Sequence, residues 1–373
     1  MFKKSLVTIA ALGAFAGSAF AGVTLYGAVD GGFEYSYDKA NGVGKDSHSA
    51  FKLADGIGTP NQFGIKGEEK ISDDLAVGFK LENGFHIANG AMGTNGVLFD
   101  REAILYAKTV AGTVAVGREG AISSGFGMFG QFGGKVAAYG NGRGSVPGLK
   151  WVLGSTTNRY DQSLTFESPK FAGVKVLAQF ANKGTQAGHG YFDNEKNDLF
   201  YALGATFENE QAYGTALVDV LDKHEDGAKN GVKVSLGGNV KFDGVQVFAA
   251  GQYFKNVTLN VDTIENASNY PNAAKPANTV EMKGFGLNGG VAVPFATGSL
   301  KGNVGYMHAK VAQDSSIKMN RFTVGAVYDY PLSKRTFIYT GVGAAFDKYK
   351  GVEGNDPTSA RAFAANLGLS HKF

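Results

Sequence analysis

The chain has 373 residues, with 36 Lys and Arg against 33 Asp and Glu, 55 glycines, 8 prolines, one Trp and no Cys. The lack of cysteine excludes a disulfide framework, a thiolate nucleophile and a Cys-ligated metal, and a formal charge of +3 gives no basic face for nucleic acid. Glycine stands at roughly twice its usual share, but few prolines and no Gly-X-Y period exclude collagen, and the Phe, Tyr, Val and Leu content excludes global disorder.

At the N-terminus, Lys3 and Lys4 precede an apolar and small run, Ser5 to Gly17, and then Ala19-Phe20-Ala21. A basic start, an apolar centre and an A-x-A site predict a secretory signal peptide over residues 1–21, leaving 22–373 as the mature chain. No later apolar run reaches about 18 residues, so no spanning helix is expected.

From residue 22 on, the pattern has period two. Leu25, Val29, Phe33 and Tyr35 share one face, with Thr24, Ala28, Asp30 and Glu34 on the other. Leu75, Val77, Phe79 and Leu81 alternate with Ala76, Gly78, Lys80 and Glu82, and Phe322, Val324, Tyr328 and Tyr330 repeat the pattern near the end. Such alternation predicts strands rather than helices. Short turns fall at 72–74, 110–112, 168–172, 209–210, 243–244, 294–298 and 331–334. Longer connections fall near 38–60, 88–97, 119–158, 184–197, 223–230, 257–280, 312–319 and 349–360. Together these connections join sixteen strands.

Short turns on one side and long loops on the other are the mark of a transmembrane antiparallel barrel of the outer-membrane kind. One face of each strand would meet lipid and the other water, and closure would satisfy every backbone group. A soluble sandwich fits less well. It would bury the apolar face in a core, and a chain of this length would divide into domains, yet no linker is visible.

Several motifs now carry a resemblance. Thr24-Leu25-Tyr26-Gly27, Gln62-Phe63-Gly64-Ile65-Lys66-Gly67-Glu68-Glu69, Phe99-Asp100-Arg101-Glu102-Ala103 and Val116-Gly117-Arg118 follow in order. Arg159-Tyr160-Asp161-Gln162-Ser163-Leu164-Thr165-Phe166-Glu167-Ser168-Pro169, Tyr330-Pro331-Leu332-Ser333-Lys334-Arg335-Thr336 and the ending Gly368-Leu369-Ser370-His371-Lys372-Phe373 complete the set. In this order they resemble the trimeric 16-stranded general diffusion porins of Gram-negative outer membranes. The resemblance implies an all-β barrel with an inward-folded constriction loop. It implies passive diffusion of ions and small hydrophilic solutes, and no enzymatic step or cofactor. As partners it implies a homotrimer (lapped by the segment around 88–97), outer-membrane lipid and lipopolysaccharide, and the assembly machinery reading Phe373.

The segment 119–158 is far longer than an ordinary hairpin connection and is rich in glycine, with Phe126, Phe129, Phe132, Tyr139 and Trp151 along it. By resemblance it is the constriction loop, its glycines letting it lie close to the wall and its aromatics pinning it there. The constriction motif commonly ends in acids; Gln131 and Lys135 stand there instead. From Gly120 to Tyr160 there is no Asp or Glu, while Lys135, Arg143, Lys150 and Arg159 are basic. Parity turns Lys66, Lys80, Arg101 and Arg159 inward, sharing their face with Glu68, Glu82, Asp161 and Glu167. The expected constriction set is therefore Lys66, Lys80, Arg101, Gln131, Lys135, Arg159 and Asp161, with a weak preference for anions. Pairing of these cations with nearby carboxylates would cancel that field.

Other classes lack their motifs. No His pair has H-x-x-x-H spacing and no G-x-S-x-G elbow occurs. A barrel whose loops bind partners, or a porin specific for a sugar or an anion, remains open. A sugar channel would need an aromatic ladder, for which Phe126, Phe129 and Tyr139 are the candidates.

Overall fold

The computed structural model describes residues 22–41, 47–154, 159–183, 198–224, 227–259, 280–351 and 358–373. The expected signal segment 1–21 lies outside these residues, as do most of the 184–197 and 257–280 connections.

Nineteen strands occur among the described residues. The first five are β1 (Val23–Asn41), β2 (Ser47–Asp55), β3 (Gln62–Ser72), β4 (Leu75–Gly84) and β5 (Glu102–Thr109). Then come β6 (Gly112–Gly120), two short strands, β7 (Gly142–Arg143) and β8 (Val146–Pro147), and β9 (Arg159–Glu167). The wall continues through β10 (Val174–Lys183), β11 (Asp198–Glu208), β12 (Ala212–Asp222), β13 (Gly231–Phe242) and β14 (Val245–Val257). It ends with β15 (Met282–Phe295), β16 (Gly298–Val311), β17 (Lys318–Pro331), β18 (Thr336–Lys350) and β19 (Ser359–Lys372).

Every neighbouring pair is antiparallel, and β19 returns to pair with β1 from Ala28–Lys372 to Asn41–Ser359, closing the sheet. The two short strands form a separate hairpin inside the barrel. β2 and β3 both pair with β1, at its two ends, and so form one interrupted stave. Counted this way the wall has sixteen staves.

The alternation read from the sequence is physical. Leu25, Phe33, Leu203, Leu236, Leu287, Val342 and Leu367 are all more than half exposed, while Asp30, Glu34, Thr165, Asp219 and Thr323 on the other face are buried. An apolar exterior over a polar interior suits lipid outside and water within. Phe373 closes the seam: it exchanges two backbone hydrogen bonds with Gly27, each 3.1 Å.

One connection is corrected. Residues 38–60 are not a loop, because β1 runs to Asn41 and Ser47–Asp55 is a strand. Its Ser, Gly, Asp and Lys content reads as a loop, but Phe51 and Leu53 are the lipid-facing residues of β2, at 72% and 52% exposure.

Candidate functional site: the pore and its constriction

Through its described residues, 121–154, the connection between β6 and β9 stays inside the barrel. Ile122, Phe129, Phe132, Val136, Leu149 and Leu153 pack against Ile104, Tyr160, Leu177, Phe200 and Leu217 of the wall. Further on, Val152 joins Phe254, Met282, Met307 and Met319, and Tyr139 and Val146 join Phe248 and Val327. The loop thus follows the inner wall from β5 round to β17. Each large side chain buried this way contributes about 1.5–3 kcal/mol to holding it there.

Wall glycines make room for this path. A Cβ at Gly237 would strike Val136, one at Gly286 would strike Val152, one at Gly325 would strike the Tyr139 hydroxyl and one at Gly343 would strike Pro147. Polar contacts fix the loop as well. Ile122 N donates to Gln179 Oε1 (3.0 Å), Ser123 Oγ to Asp219 Oδ2 (2.5 Å) and Gly154 N to Gln252 Oε1 (2.9 Å). Met128 N donates to Glu102 Oε1 (2.8 Å), and Ser145 donates to both oxygens of Glu34 at 2.7 and 2.8 Å. Arg321 binds Asp347 in bidentate fashion (2.8 and 2.7 Å), with both side chains fully buried. The same guanidinium donates to Trp151 O (3.3 Å) and lies over the Trp151 ring. A fork-shaped ion pair of this kind fixes position as well as charge.

The expected constriction residues fall into two groups. Lys66, Lys80, Arg101 and Arg159 come together on the β3–β9 wall. Lys80 Nζ contacts Glu102 and lies 3.5 Å from Glu82. Arg101 Nε donates to Glu82 Oε1 (2.8 Å). Lys66 sits over the Tyr26 ring, whose hydroxyl donates to Glu82 (2.9 Å). Arg159 donates to Arg101 O (2.7 Å) and stacks its guanidinium on Phe126 of the loop at 4.9 Å. Asp161 pairs with Arg118 (2.5 Å). Gln131 and Lys135 stand apart, against β12 and β13. Lys135 Nζ donates to Gln131 Oε1 (2.8 Å) and lies over the Tyr213 ring. Partial desolvation beside the loop and wall lowers the Lys135 ammonium from its ordinary range, although the side chain remains exposed.

Pairing is therefore uneven. Lys80, Arg101 and Arg118 have carboxylate partners, whereas among the described residues neither Lys66 nor Arg159 has one within ion-pair distance. The loop leaves a cavity of about 820 Å³ whose charged lining is Lys80, Arg101 and Lys150 against Glu82 alone. The aromatic candidates form no ladder. Phe129 is 2% exposed, and Tyr139 is almost buried with its hydroxyl donating to Pro147 O (2.5 Å).

A sequence-family model for Gram-negative porins matches residues 8–350. The chain belongs to the Gram-negative porin family. It is 27% identical to an outer membrane porin protein of Bordetella pertussis over 413 aligned positions, spanning all of both chains. It is 25% identical to a major outer membrane protein P.IB of Neisseria lactamica, again over the whole of both. Among solved structures, it matches an anion-selective porin from Comamonas acidovorans with a TM-score of 0.62 at 18% identity, covering 94% of this chain and 99% of the other. The protein is accordingly an outer-membrane porin, and its family and fold are those of channels rather than enzymes.

Parity could not reveal residues whose roles depend on distant partners. Asp30, Glu34 and Asp329 are lumen-side carboxylates engaged with the loop or the wall. Arg143, one of the basic residues in the acid-free stretch, donates to Asp329 Oδ2 (3.1 Å) and to Gly58 O (2.5 Å).

Proposed function

We propose that this porin conducts ions and small hydrophilic solutes passively, with a mild preference for anions, and works as a homotrimer. The observation that carries the anion preference is the β3–β9 cluster, where Lys66 and Arg159 stand beside the paired Lys80 and Arg101 with no carboxylate within ion-pair distance among the described residues. A low-dielectric wall focuses such a field on the passage. The acid-free loop supports the same sign, and so does likeness to a solved porin described as anion-selective. For the trimer, the support is likeness to a Vibrio cholerae outer membrane protein solved in a trimer form. Phe373, set into the barrel seam, is the residue we assign to recognition by the assembly machinery.

The test is the reversal potential of the purified protein in a planar bilayer under a KCl gradient. Anion selectivity is expected, and cation selectivity overturns the reading. Cross-linking in detergent is expected to give trimers, and monomers alone would overturn that part.

A further inference from the structure

The interrupted stave is longer than its place in the wall requires. If the β1–β2 register (Gly31 opposite Asp55) continued, Ala28 would face residue 58; it faces Gln62 instead, so four residues are surplus. Four is an even number, so both halves keep the same face to the lipid, Phe51 and Leu53 before the break and Phe63 and Ile65 after it. A stave without the surplus would pair with β1 and satisfy the same backbone groups. The surplus is therefore not needed for closure.

It folds into the lumen around one carboxylate. Gly58 N and Thr59 N donate to the two oxygens of Asp30 at 3.1 and 2.9 Å, and Tyr339 OH donates to Oδ1 at 2.8 Å. Gly56 N donates to Asp30 O (3.0 Å), and Asp30 N donates to Asn61 Oδ1 (2.5 Å). Asp30 is only 1% exposed, and its hydrogen bonds offset the cost of burying that charge. Gly58 lies so close to Tyr339 and Asp30 that a Cβ would collide with both. From the constriction loop, Arg143 reaches Gly58 O. Gly56 to Pro60 line the same cavity as the loop's Phe126 and Gly134.

We propose that Gly56–Asn61 is a second constriction element, built from the wall, that limits solute size together with the loop, and that Asp30 is its positioning residue. This rests on the channel reading above.

Two variants of the full chain test it. Removing Ile57–Pro60 restores a single register. It is expected to raise single-channel conductance roughly 1.5-fold, since it takes four residues out of the lining of the cavity beside the loop, and to admit larger neutral sugars in liposome swelling. In a chain with no native cysteine, Thr59→Cys supplies a lone thiol, and a cationic methanethiosulfonate reagent is expected to lower conductance in steps. The inference is overturned by a folded deletion variant with unchanged conductance and size limit. It is equally overturned by a Thr59→Cys channel that conducts unchanged after treatment, whether mass spectrometry finds the thiol modified or free. If the deletion prevents the heat-modifiable barrel from forming, the thiol result decides alone. A wild-type protein that does not conduct would sink the channel reading instead.

Discussion

Arg159→Gln is the sharpest probe of the pore's field, because Arg159 has no carboxylate partner among the described residues and rests on Phe126, which lines the cavity. A unit charge about 6 Å from a passing ion, in water, is worth about 0.7 kcal/mol. At 0.1 M salt, screening over about 10 Å reduces this to about 0.4 kcal/mol. The field acts with opposite sign on chloride and potassium, so the permeability ratio changes by twice that energy, or about fourfold. At 1 M salt the screening length falls to about 3 Å and the same change shrinks to about 1.4-fold. The assay is reversal potential under a fixed KCl gradient at both salt levels. Lys170→Gln, which removes an exposed pair with Glu208 at the 168–173 turn, serves as a control and is expected to leave selectivity unchanged. A selectivity unmoved by Arg159→Gln, or moved equally at low and high salt, would refute the electrostatic argument.

Three further outcomes follow from the same contacts. Arg321→Met leaves Asp347 buried without its partner and should destabilise the barrel by about 3–5 kcal/mol; the temperature of heat modification on gels should fall, and the emission of Trp151, the sole tryptophan, should shift as its cation contact is lost. Lys135 binds its proton less tightly in the folded barrel than in the unfolded chain, whose ordinary value is 10.5. Between the depressed folded value and 10.5 the unfolded state holds more protons, so this residue's contribution to stability rises with pH across that window, and anion preference should begin to fall at lower pH in wild type than in Lys135→Met. Asp30→Ala frees the amides of Gly58 and Thr59 and should raise both mean conductance and current noise, while a variant as quiet and as narrow as wild type would remove Asp30 from its positioning role.

Legibility followed the physics of the strand. Lipid and water on opposite sides of one strand impose a period of two, so the lipid residues from Leu25 to Leu367 could be read directly. Turn residues such as Asp73-Asp74 and Asp243-Gly244 marked the short connections. β2 was missed because a strand of nine residues with two lipid-facing apolar side chains has little pattern to show. Parity also placed Lys80, Arg101 and Arg159 on the lumen side. It could not say which carboxylate each would meet, because pairing across a closed sheet joins residues far apart in the chain. Tyr339 and Asp30 are 309 positions apart, and Arg143 and Asp329 are 186.

That division of partners bears on how a nearly neutral chain could carry the proposed anion preference. Carboxylates on β1 and β17 serve the scaffold: Asp30 holds the inward break, Glu34 holds Ser145, and Asp329 binds Arg143 and Lys301. Asp30 and Glu34 are almost completely buried, and Asp329 already faces two cations, so their charge is offset or screened locally before it reaches the lumen. On the β3–β9 side the carboxylates Glu82 and Glu102 must serve Lys80 and Arg101, with Arg159 and Lys66 beside them and, among the described residues, no acid within ion-pair distance of either. On the proposed anion preference, the bias comes from where the acids are used rather than from how many there are. An acid added to the loop at Gln131 would sit beside Lys135 and cancel its charge locally, leaving the β3–β9 cluster in control of selectivity; by the same reasoning, a carboxylate placed at Phe126 would face Arg159 directly and would move the reversal potential more.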